Sequence, residues 1–512
     1  MFEWLNKLFR IGKEQPKARA VTERVAPARP AEATFAQRSK PKLVKTVTVG
    51  IDFGTSSTKV IVSGVFPEKH HLLTLGQKVE GCPDFAMPST IQISEGRVYF
   101  GSSAEQDRPN SQTFRSFKIC LACEYGLAPC RGCAHRISDQ HRGQFNISVE
   151  GQDVVVRAHQ LATWYLAYIF RLARNELEKR WGQSFQFRTL FNVGAPIDQH
   201  TQAVGGEIFN KAAFWAEKMA NSVRDGTPAK TLIDVYGSTS KTYSCLPTEE
   251  ERPTFVQPET AAGLMAFVTS PTASPGLYGI FDVGAGTTDV SFFRLADSER
   301  DQPRIMAFYD AETAVVGADE VDRVIAELAI CRLATASASS IPRESLLLAC
   351  KRAKETLGQH SSVTVSLDST PVVLSRQEIE DAASDKVKKM VSTYVQTAHR
   401  SYRKEPYVNR WATYTLFSLG GGARLPMVEH RLQQTRPSDY NRNIRYRRMT
   451  APANLEAPAD AKANFDLLAV AYGLSFPPVD FPKIFEPNEV EPLKLSLPKN
   501  LRPDRDELYP KR

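Results

Sequence analysis

The chain has 512 residues, of which 42% are hydrophobic and 24% charged, and it carries a formal net charge of +8. This length can hold several domain-sized hydrophobic cores, and the composition is ordinary for a globular protein. No apolar run approaches the roughly 20 residues that cross a bilayer, and the start lacks the apolar core of a secretory signal. We therefore expect a cytoplasmic protein.

Most of the positive charge lies near the N-terminus. Residues 1–44 contain ten Lys or Arg and four Glu, so this segment holds six of the eight net positive charges. The rest of the chain is nearly balanced, which argues against a broad surface for nucleic acid. A solvated surface strand is the simpler explanation for the basic run that includes Arg445 and Arg447. We do not expect nucleic acid as a partner.

The first segments of the chain predict a tethered helix. Residues 1–13 place their large apolar side chains on one half of a helical wheel and their polar side chains on the other. Residues 14–44 are polar and rich in Ala and Pro without periodicity, which predicts a flexible linker. The helix has three interpretations: docking on an anionic membrane surface, insertion into a partner protein's groove, or packing back onto the body.

From Lys45 the sequence predicts strands joined by tight turns. Apolar residues alternate along KTVTVGID, and the turn FGTSS leads into a second strand, TKVIVSG. The same design returns much later as LYGIFD, VGAGTT and DVSFF. Asp52 and Asp282 each close the first strand of a unit, directly before a turn of small residues.

This internal repeat predicts two similar lobes. We place the first lobe at 45–275, with a cysteine-containing insertion around 118–141, and the second at 276–476. Beyond them, 477–512 is punctuated by proline and predicts an extended tail that wraps the body or binds a partner protein.

The two turns have the composition of a phosphate-binding site. Small residues allow backbone N–H groups to converge on an anion at close range, and glycine permits the tight curvature. Hydroxyl groups add further donors at Thr55, Ser56, Ser57, Thr287 and Thr288. Asp52 and Asp282, with Asp289 as a further acid, are suited to hydrated Mg²⁺. Either turn alone could be an ordinary hairpin, but their recurrence in matching contexts favours phosphate binding.

Several motifs together resemble the actin, sugar-kinase and heat-shock-chaperone ATPase superfamily. VGIDFGTSSTKV is similar to its first phosphate motif, GIFDVGAGTTDVSFF to its second, and LFSLGGGARLPMV to its adenosine motif. QPETAAGLMAF and FDLLAVAYGLSF resemble its two connecting helices. VVGADEVDRVI and LLLACKRAKETLG resemble the seventy-kilodalton heat-shock chaperones in particular. The resemblance covers about 45–476 and implies a two-lobed α/β fold, the actin-like ATPase fold of duplicated ribonuclease-H-like domains.

The resemblance also implies roles for individual residues. Asp52, Asp282 and Asp289 would surround Mg²⁺ and the attacking water. The phosphates of ATP would be held by Gly54, Thr55, Ser56, Gly284, Gly286, Thr287, Thr288 and Gly317. The adenosine would be lined by Lys354, Gly420, Gly421, Gly422 and Arg424. Lys118 occupies the position of the lysine that steadies the γ-phosphate in these chaperones; a solvated surface lysine is the alternative.

The sequence departs from the chaperones at two places. Gln257 stands where they have a carboxylate, with Glu259 two residues later. A neutral glutamine can orient water but cannot accept its proton, so we expect hydrolysis to be slow or to depend on Glu259. Around the adenosine, Lys351, Glu355 and Gly358 replace the family's residues, which predicts weaker nucleotide binding or relaxed base specificity.

Four cysteines form two C-x-x-C pairs in the segment CLACEYGLAPCRGC: Cys120, Cys123, Cys130 and Cys133. Paired thiolates at this spacing suit tetrahedral Zn²⁺, and four cysteines leave no open coordination position, so we predict a structural zinc site. An iron–sulfur centre and free or redox-active thiols are the alternatives.

The leading functional hypothesis is a chaperone-like ATPase that uses Mg-ATP as a conformational switch. Few residues follow the second connecting helix, so we do not expect the peptide-binding domain of those chaperones. A protein partner would be contacted through the N-terminal helix or the C-terminal tail. An actin-like filament or membrane-tethered scaffold is the second hypothesis, and a sugar kinase is the third.

Overall fold

The structure is a computed structural model, and the residues that it describes are 42–65, 67–79, 82–126, 133, 138–196, 203–248, 251–296, 304–333, 343–367, 370–404, 413–437 and 443–485. The predicted helix 1–13, the linker up to residue 41, Cys130 and the tail from residue 486 lie outside the described residues. The chain divides into two units, Met1–Lys42 and Leu43–Arg512, of which the second holds the elements described below.

The second unit mixes strands and helices. The strands are β1 (Leu43–Phe53), β2 (Ser57–Ser63), β3 (His70–Leu73), β4 (Met87–Pro88), β5 (Thr90–Ser94), β6 (Arg97–Phe100), β7 (Gln112–Arg115), β8 (Gln144–Val149), β9 (Gln152–Arg157), β10 (Phe185–Ala195), β11 (Thr227–Pro228), β12 (Thr254–Pro258), β13 (Gly276–Val283), β14 (Thr288–Ala296), β15 (Ile305–Ala314), β16 (Ser362–Leu367), β17 (Thr370–Ser375), β18 (Thr413–Leu419), β19 (Asn443–Arg448), β20 (Leu455–Glu456) and β21 (Lys483–Phe485). The α-helices are α1 (Phe117–Glu124), α2 (Ala158–Trp181), α3 (Ala203–Met219), α4 (Ala229–Thr242), α5 (Glu259–Gly263), α6 (Met265–Val268), α7 (Asp319–Arg332), α8 (Arg343–Thr356), α9 (Arg376–Lys404), α10 (Pro426–Gln434), α11 (Ala459–Ala463) and α12 (Ala469–Leu474).

Two large sheets share one pattern of strand directions. The first runs β12-β10-β1-β2-β3-β20 with β4 beside β2, and the second runs β19-β18-β13-β14-β15-β21. In the first sheet, β1 is parallel to β10 and antiparallel to β2; in the second, β13 is parallel to β18 and antiparallel to β14. The pair of strands at each edge of both sheets is parallel, and the remaining pairs, β2–β3 and β14–β15, are antiparallel. The predicted strand–turn–strand units are the β1–β2 and β13–β14 pairs of these sheets.

The central strands of each sheet are apolar because they are covered on both faces. From Val47 to Phe53 every residue of β1 is buried, and β13 is almost as enclosed. Such strands read as nearly continuous Val, Ile and Phe rather than as strict alternation. β1 begins at Leu43, two residues before the predicted start.

Four hydrophobic clusters occur among the described residues, and the three larger ones fill the spaces around these sheets. One surrounds the first sheet and α2, and a second lies between the second sheet and the helices α7–α9. A third cluster combines side chains from both sheets. It includes Ile61 of β2, Ile280 of β13 and Leu468, which precedes α12. The two sheets therefore share part of their core.

The predicted connecting segments form helices, and the start of the predicted tail forms a strand. α5 and α12 form inside QPETAAGLMAF and FDLLAVAYGLSF. The start of the predicted tail is not free, because β21 adds an edge strand to the second sheet beside β15. Within the described ranges, no helix is long and apolar enough to cross a membrane.

His70 ties α12 to the first sheet and gives a testable pH dependence. Its Nδ1 lies 2.6 Å from Ser475 Oγ, and its ring lies 4.5 Å from both the Tyr472 and Phe476 rings. Burial, with a smaller contribution from the neighbouring His71, lowers the pKa of His70 from 6.5 to about 4.

Because the folded pKa lies below the unfolded value, the unfolded chain binds the extra proton between pH 6.5 and 4, and stability falls as pH falls through this window. The loss attributable to His70 should approach about 3 kcal/mol near pH 4. We expect His70→Gln to lose less stability than the parent between pH 7 and 4.5, measured by urea unfolding. His430→Gln, at an exposed position on α10, is the control, and an equal pH dependence in the parent and His70→Gln would contradict the prediction.

Candidate functional site

The two predicted turns line one cavity of about 660 Å³, a size typical of small-molecule sites. Thr55 and Ser56 of the β1–β2 turn and Gly284 and Thr287 of the β13–β14 turn are among its lining residues. The turns also lie close together outside the cavity, since a Cβ added to Gly286 would stand 3.3 Å from Thr55 Cγ2. Residues far apart in sequence thus form one site.

The first turn is held in shape by its own backbone and by Ser89. Gly54 N–H donates to the Asp52 carbonyl at 3.0 Å, and a Cβ on Gly54 would lie 2.4 Å from the Ser57 carbonyl oxygen. Ser89 Oγ donates to the Gly54 carbonyl at 2.7 Å, while its N–H donates to the Ser56 carbonyl at 2.9 Å. These bonds leave the hydroxyl groups of the turn at the cavity.

The second turn is supported by the start of α7. Gly284 N–H donates to the Thr287 carbonyl at 2.9 Å, and Ala318 N–H donates to the Gly284 carbonyl at 3.0 Å. Asp289 accepts hydrogen bonds from Thr287 Oγ1 at 2.9 Å and from Thr313 Oγ1 at 2.5 Å. This network fixes the Asp289 carboxylate at the wall of the cavity.

Four carboxylates converge at the base of the cavity: Asp52, Glu259, Asp282 and Asp289. Burial raises the pKa of Asp282 well above its ordinary value, and the negative charges of the other three raise it further. Such crowding of buried acids is relieved by a bound proton or by cations. The site therefore favours a positively charged group at its base.

Two lysines already supply part of this positive charge. Lys59 Nζ lies 3.0 Å from Asp52 Oδ2, and Lys118 Nζ donates to Glu259 Oε1. Burial acts to lower the pKa of Lys118, but the carboxylates of Glu259 and Asp52 outweigh it and raise that pKa. Lys118 is therefore a charged, enclosed residue of the site and not a solvated surface lysine.

The structure separates the two candidate residues around the first connecting helix. Glu259 begins α5, lines the cavity and pairs with Lys118, whereas Gln257 lies on the edge strand β12 and does not line the cavity. Of these two residues, only Glu259 brings a side chain to the cavity, because the end of β12 turns the chain between the two positions.

Three other predicted phosphate residues support the turns without lining the cavity. Thr288 is fully buried and donates its hydroxyl to the Val316 carbonyl at 2.7 Å. A Cβ on Gly317 would lie 2.4 Å from the Ala285 carbonyl oxygen, so Gly317 packs beneath the second turn. Gly286 packs against Ile119, to whose Cδ1 an added Cβ would approach within 2.1 Å.

The predicted adenosine segment closes another side of the cavity. Gly420 has a φ of +76°, and a Cβ there would lie 2.4 Å from Asp282 Oδ1, so only glycine suits this position. Gly421 and Gly422 also line the cavity, as does Arg424. Arg424 is held by Asp466, which accepts from its Nε at 2.7 Å.

Lys354 lines the cavity but is engaged with another residue. Its Nζ lies 2.8 Å from Asp322 Oδ2 and 3.1 Å from the Ala318 carbonyl oxygen. Burial raises the pKa of Asp322 to about 6, against the opposing effect of Lys354. Lys354 therefore braces α8 against α7 at the edge of the cavity.

The cysteine prediction gains no support from the described residues. Cys120, Cys123 and Cys133 are buried, and the Sγ atoms of Cys123 and Cys133 lie 3.9 Å apart. Gly143 N–H donates to Cys133 Sγ at 3.2 Å. In the part of the chain that the structure describes, no group of three or more His, Cys, Asp or Glu residues is arranged to hold a metal ion, and Cys130 lies outside that part.

Sequence reasoning missed Lys59, Asp322 and Asp466 as site residues. Lys59 could have been found from the sequence, because a tight hairpin between β1 and β2 places Lys59 opposite Asp52 on the neighbouring strand. Asp322 and Asp466 had no comparable signal, since each is defined by an ion pair with a residue distant in sequence.

No protein-family model matches the chain. Part of the chain is similar to curated proteins named as homologues of the chaperone protein HscA. It is 26% identical to that of Shewanella loihica over 159 residues, which are 31% of this chain and 25% of the relative. The corresponding protein of Shewanella woodyi is 28% identical over 188 residues, 33% of this chain and 29% of the relative. The corresponding protein of Haemophilus influenzae is 25% identical over 157 residues, which are 31% of this chain and 24% of the relative.

The chain thus spans 24% to 29% of the length of these relatives. The mixed α/β architecture with several sheets agrees with an actin-like ATPase fold, which the similarity to HscA implies. This distant similarity supports a relationship at the level of the Hsp70-like ATPase superfamily.

Proposed function

We propose that this chain binds Mg-ATP and hydrolyses it slowly, using the nucleotide as a conformational switch towards a protein partner. The observation that carries the proposal is one cavity whose lining includes two glycine- and hydroxyl-containing turns, four neighbouring carboxylates and the buried Lys118. A triphosphate needs converging N–H and hydroxyl donors, and a hydrated divalent cation needs carboxylates beside them.

The lining residues fit both groups. Gly54, Thr55, Ser56, Gly284 and Thr287 would hold the phosphates. Asp52, Asp282 and Asp289 would hold hydrated Mg²⁺, which supplies neutralisation of the phosphate charge when bound. The raised pKa of Asp282, caused by burial and then by the nearby carboxylates, supports this assignment because crowded acids favour a bound cation.

The residues suited to the reaction itself are Glu259 and Lys118. Glu259 is the carboxylate at the base of the cavity that follows the end of β12, and it would orient the attacking water and accept its proton. Lys118 holds that carboxylate and carries the positive charge suited to the outermost phosphate.

The nucleoside would lie on the opposite side of the cavity. Gly421 leaves room for it, and Leu425, Pro426 and Val470 give that part of the wall an apolar surface. Arg424 offers a planar guanidinium, fixed by Asp466, on which a base can stack.

The switching part of the proposal treats 45–275 and 276–476 as two lobes. Each contributes one turn and one of the matching sheets, so a nucleotide held by both turns would favour one relative arrangement of the sheets. The partner would be a protein contacted through 1–13 or through the tail, in the cytoplasm. Zinc is not part of this proposal, because the described cysteines Cys120, Cys123 and Cys133 are not arranged as a metal site.

Calorimetric titration with ATP in Mg²⁺ tests the proposal, comparing the parent chain with Asp282→Ala. We expect Asp282→Ala to weaken ATP binding by about tenfold to a hundredfold in Mg²⁺, and by much less in EDTA, because the carboxylate acts through the cation. Asp234→Ala, at an exposed position on α4, removes the same charge away from the cavity. Equal affinity in the parent chain and Asp282→Ala would remove the assignment of the site.

A further inference from the structure

Lys351 differs from the other cations that line the cavity. The others form ion pairs with carboxylates: Lys59 with Asp52, Lys118 with Glu259, Lys354 with Asp322, and Arg424 with Asp466. Lys351 Nζ instead lies 3.1 Å from the neutral hydroxyl Ser56 Oγ. Among the described residues it forms no ion pair with a carboxylate, including Glu355 one turn further along α8.

This contact joins distant parts of the chain at the phosphate-binding turn. Ser56 belongs to the β1–β2 turn, whereas Lys351 lies on α8, 295 residues later. One turn further along the same helix, Lys354 contacts the Ala318 carbonyl, and the Ala318 N–H holds the β13–β14 turn through Gly284. Helix α8 is therefore connected to both turns, to the first through Lys351 and to the second through Lys354.

A hydroxyl group is a weak partner for an ammonium group in a site built for anions. A negatively charged phosphate oxygen attracts an ammonium group through its full charge, whereas a hydroxyl oxygen offers only a partial charge. A phosphate oxygen held against Ser56 would lie within reach of the same ammonium group. Lys351 would then exchange a neutral partner for a charged one, at no cost of breaking an existing ion pair.

We propose that Lys351 is a specificity-determining residue that binds the phosphates of the nucleotide from α8 and links that helix to the β1–β2 turn. The inference rests on the proposed function and extends it, because it assigns recognition of the phosphates to a helix that otherwise borders the nucleoside. It predicts strong selection for phosphorylated nucleotides over the bare nucleoside.

Calorimetric titration of the full chain with ADP, ATP and adenosine tests the assignment. Lys351→Gln keeps a hydrogen-bonding group but removes the charge, and should weaken ADP and ATP binding by about tenfold to a hundredfold. Adenosine affinity should stay within about twofold of the parent, since it lacks the phosphates. Lys351→Arg should retain most of the affinity, and Lys388→Gln, an equal charge change at an exposed position on α9, should have no effect.

The outcomes separate this inference from the function on which it rests. If the parent chain binds ATP and Lys351→Gln binds it equally well, Lys351 is not a phosphate ligand and only this inference fails. Equal weakening of adenosine and ADP would place Lys351 at the nucleoside and also overturn it. If the parent chain binds none of the three compounds, the proposed function fails and the inference with it.

Discussion

Replacing Glu259 by glutamine is expected to slow ATP hydrolysis by about a hundredfold to ten-thousandfold, because an amide cannot accept the proton of the attacking water. The amide oxygen can still accept the hydrogen bond of Lys118, so the fold and the cavity should be retained. Single-turnover hydrolysis measures the rate, and calorimetry should find ATP affinity within about tenfold of the parent.

Gln257→Ala is the matched control for this change. Gln257 lies two residues before Glu259 but does not line the cavity, so its removal should leave hydrolysis within about twofold of the parent. A larger loss in Gln257→Ala than in Glu259→Gln would restore glutamine as the water-orienting residue and would contradict the role given to Glu259.

A methyl group added at Gly473 is expected to be severely destabilising. A Cβ at this position would lie 1.8 Å from the Ala262 carbonyl oxygen, where α12 crosses α5. The chain at the end of α12 is held in place, since the carbonyls of Leu474 and Phe476 accept hydrogen bonds from Asn192 Nδ2, both at 2.8 Å. We expect Gly473→Ala to lower the free energy of unfolding by about 3 kcal/mol or more.

Gly237→Ala provides the control for this prediction. Gly237 lies within α4, and a Cβ there would meet no atom within 4 Å, so alanine should stabilise the helix by about 0.5–1 kcal/mol. The midpoints of urea unfolding, followed by tryptophan fluorescence, should move in opposite directions in the two variants. A Gly473→Ala midpoint equal to that of the parent would show that α5 and α12 are not in close backbone contact.

The crossing of α5 and α12 also connects stability with the site. Glu259 begins α5, and Val470 of α12 lines the cavity, so a displacement between these helices would reach both ends of the cavity. This contact between the helices is a physical route that would couple the proposed nucleotide binding to the packing of the two sheets.

Much of the fold follows from local patterns in the sequence. Alternating Val and Ile residues before Asp52, and the matching segment before Asp282, predict the two strand–turn–strand units, and the structure contains both as β1–β2 and β13–β14. Turn residues determine such hairpins locally, which is why the repeat was visible without any tertiary information.

The sequence by itself indicated that the glycine, hydroxyl and acidic residues of the two turns belong to one site, because the same turn recurs in matching strand contexts. Tertiary structure alone decided which charges pair. Glu259 rather than Gln257 meets Lys118, Lys354 pairs with Asp322, and Lys351 contacts Ser56. These contacts join residues that lie 32 to 295 positions apart in the chain. No local pattern encodes such distances; they arise only when the two sheets pack around their shared core.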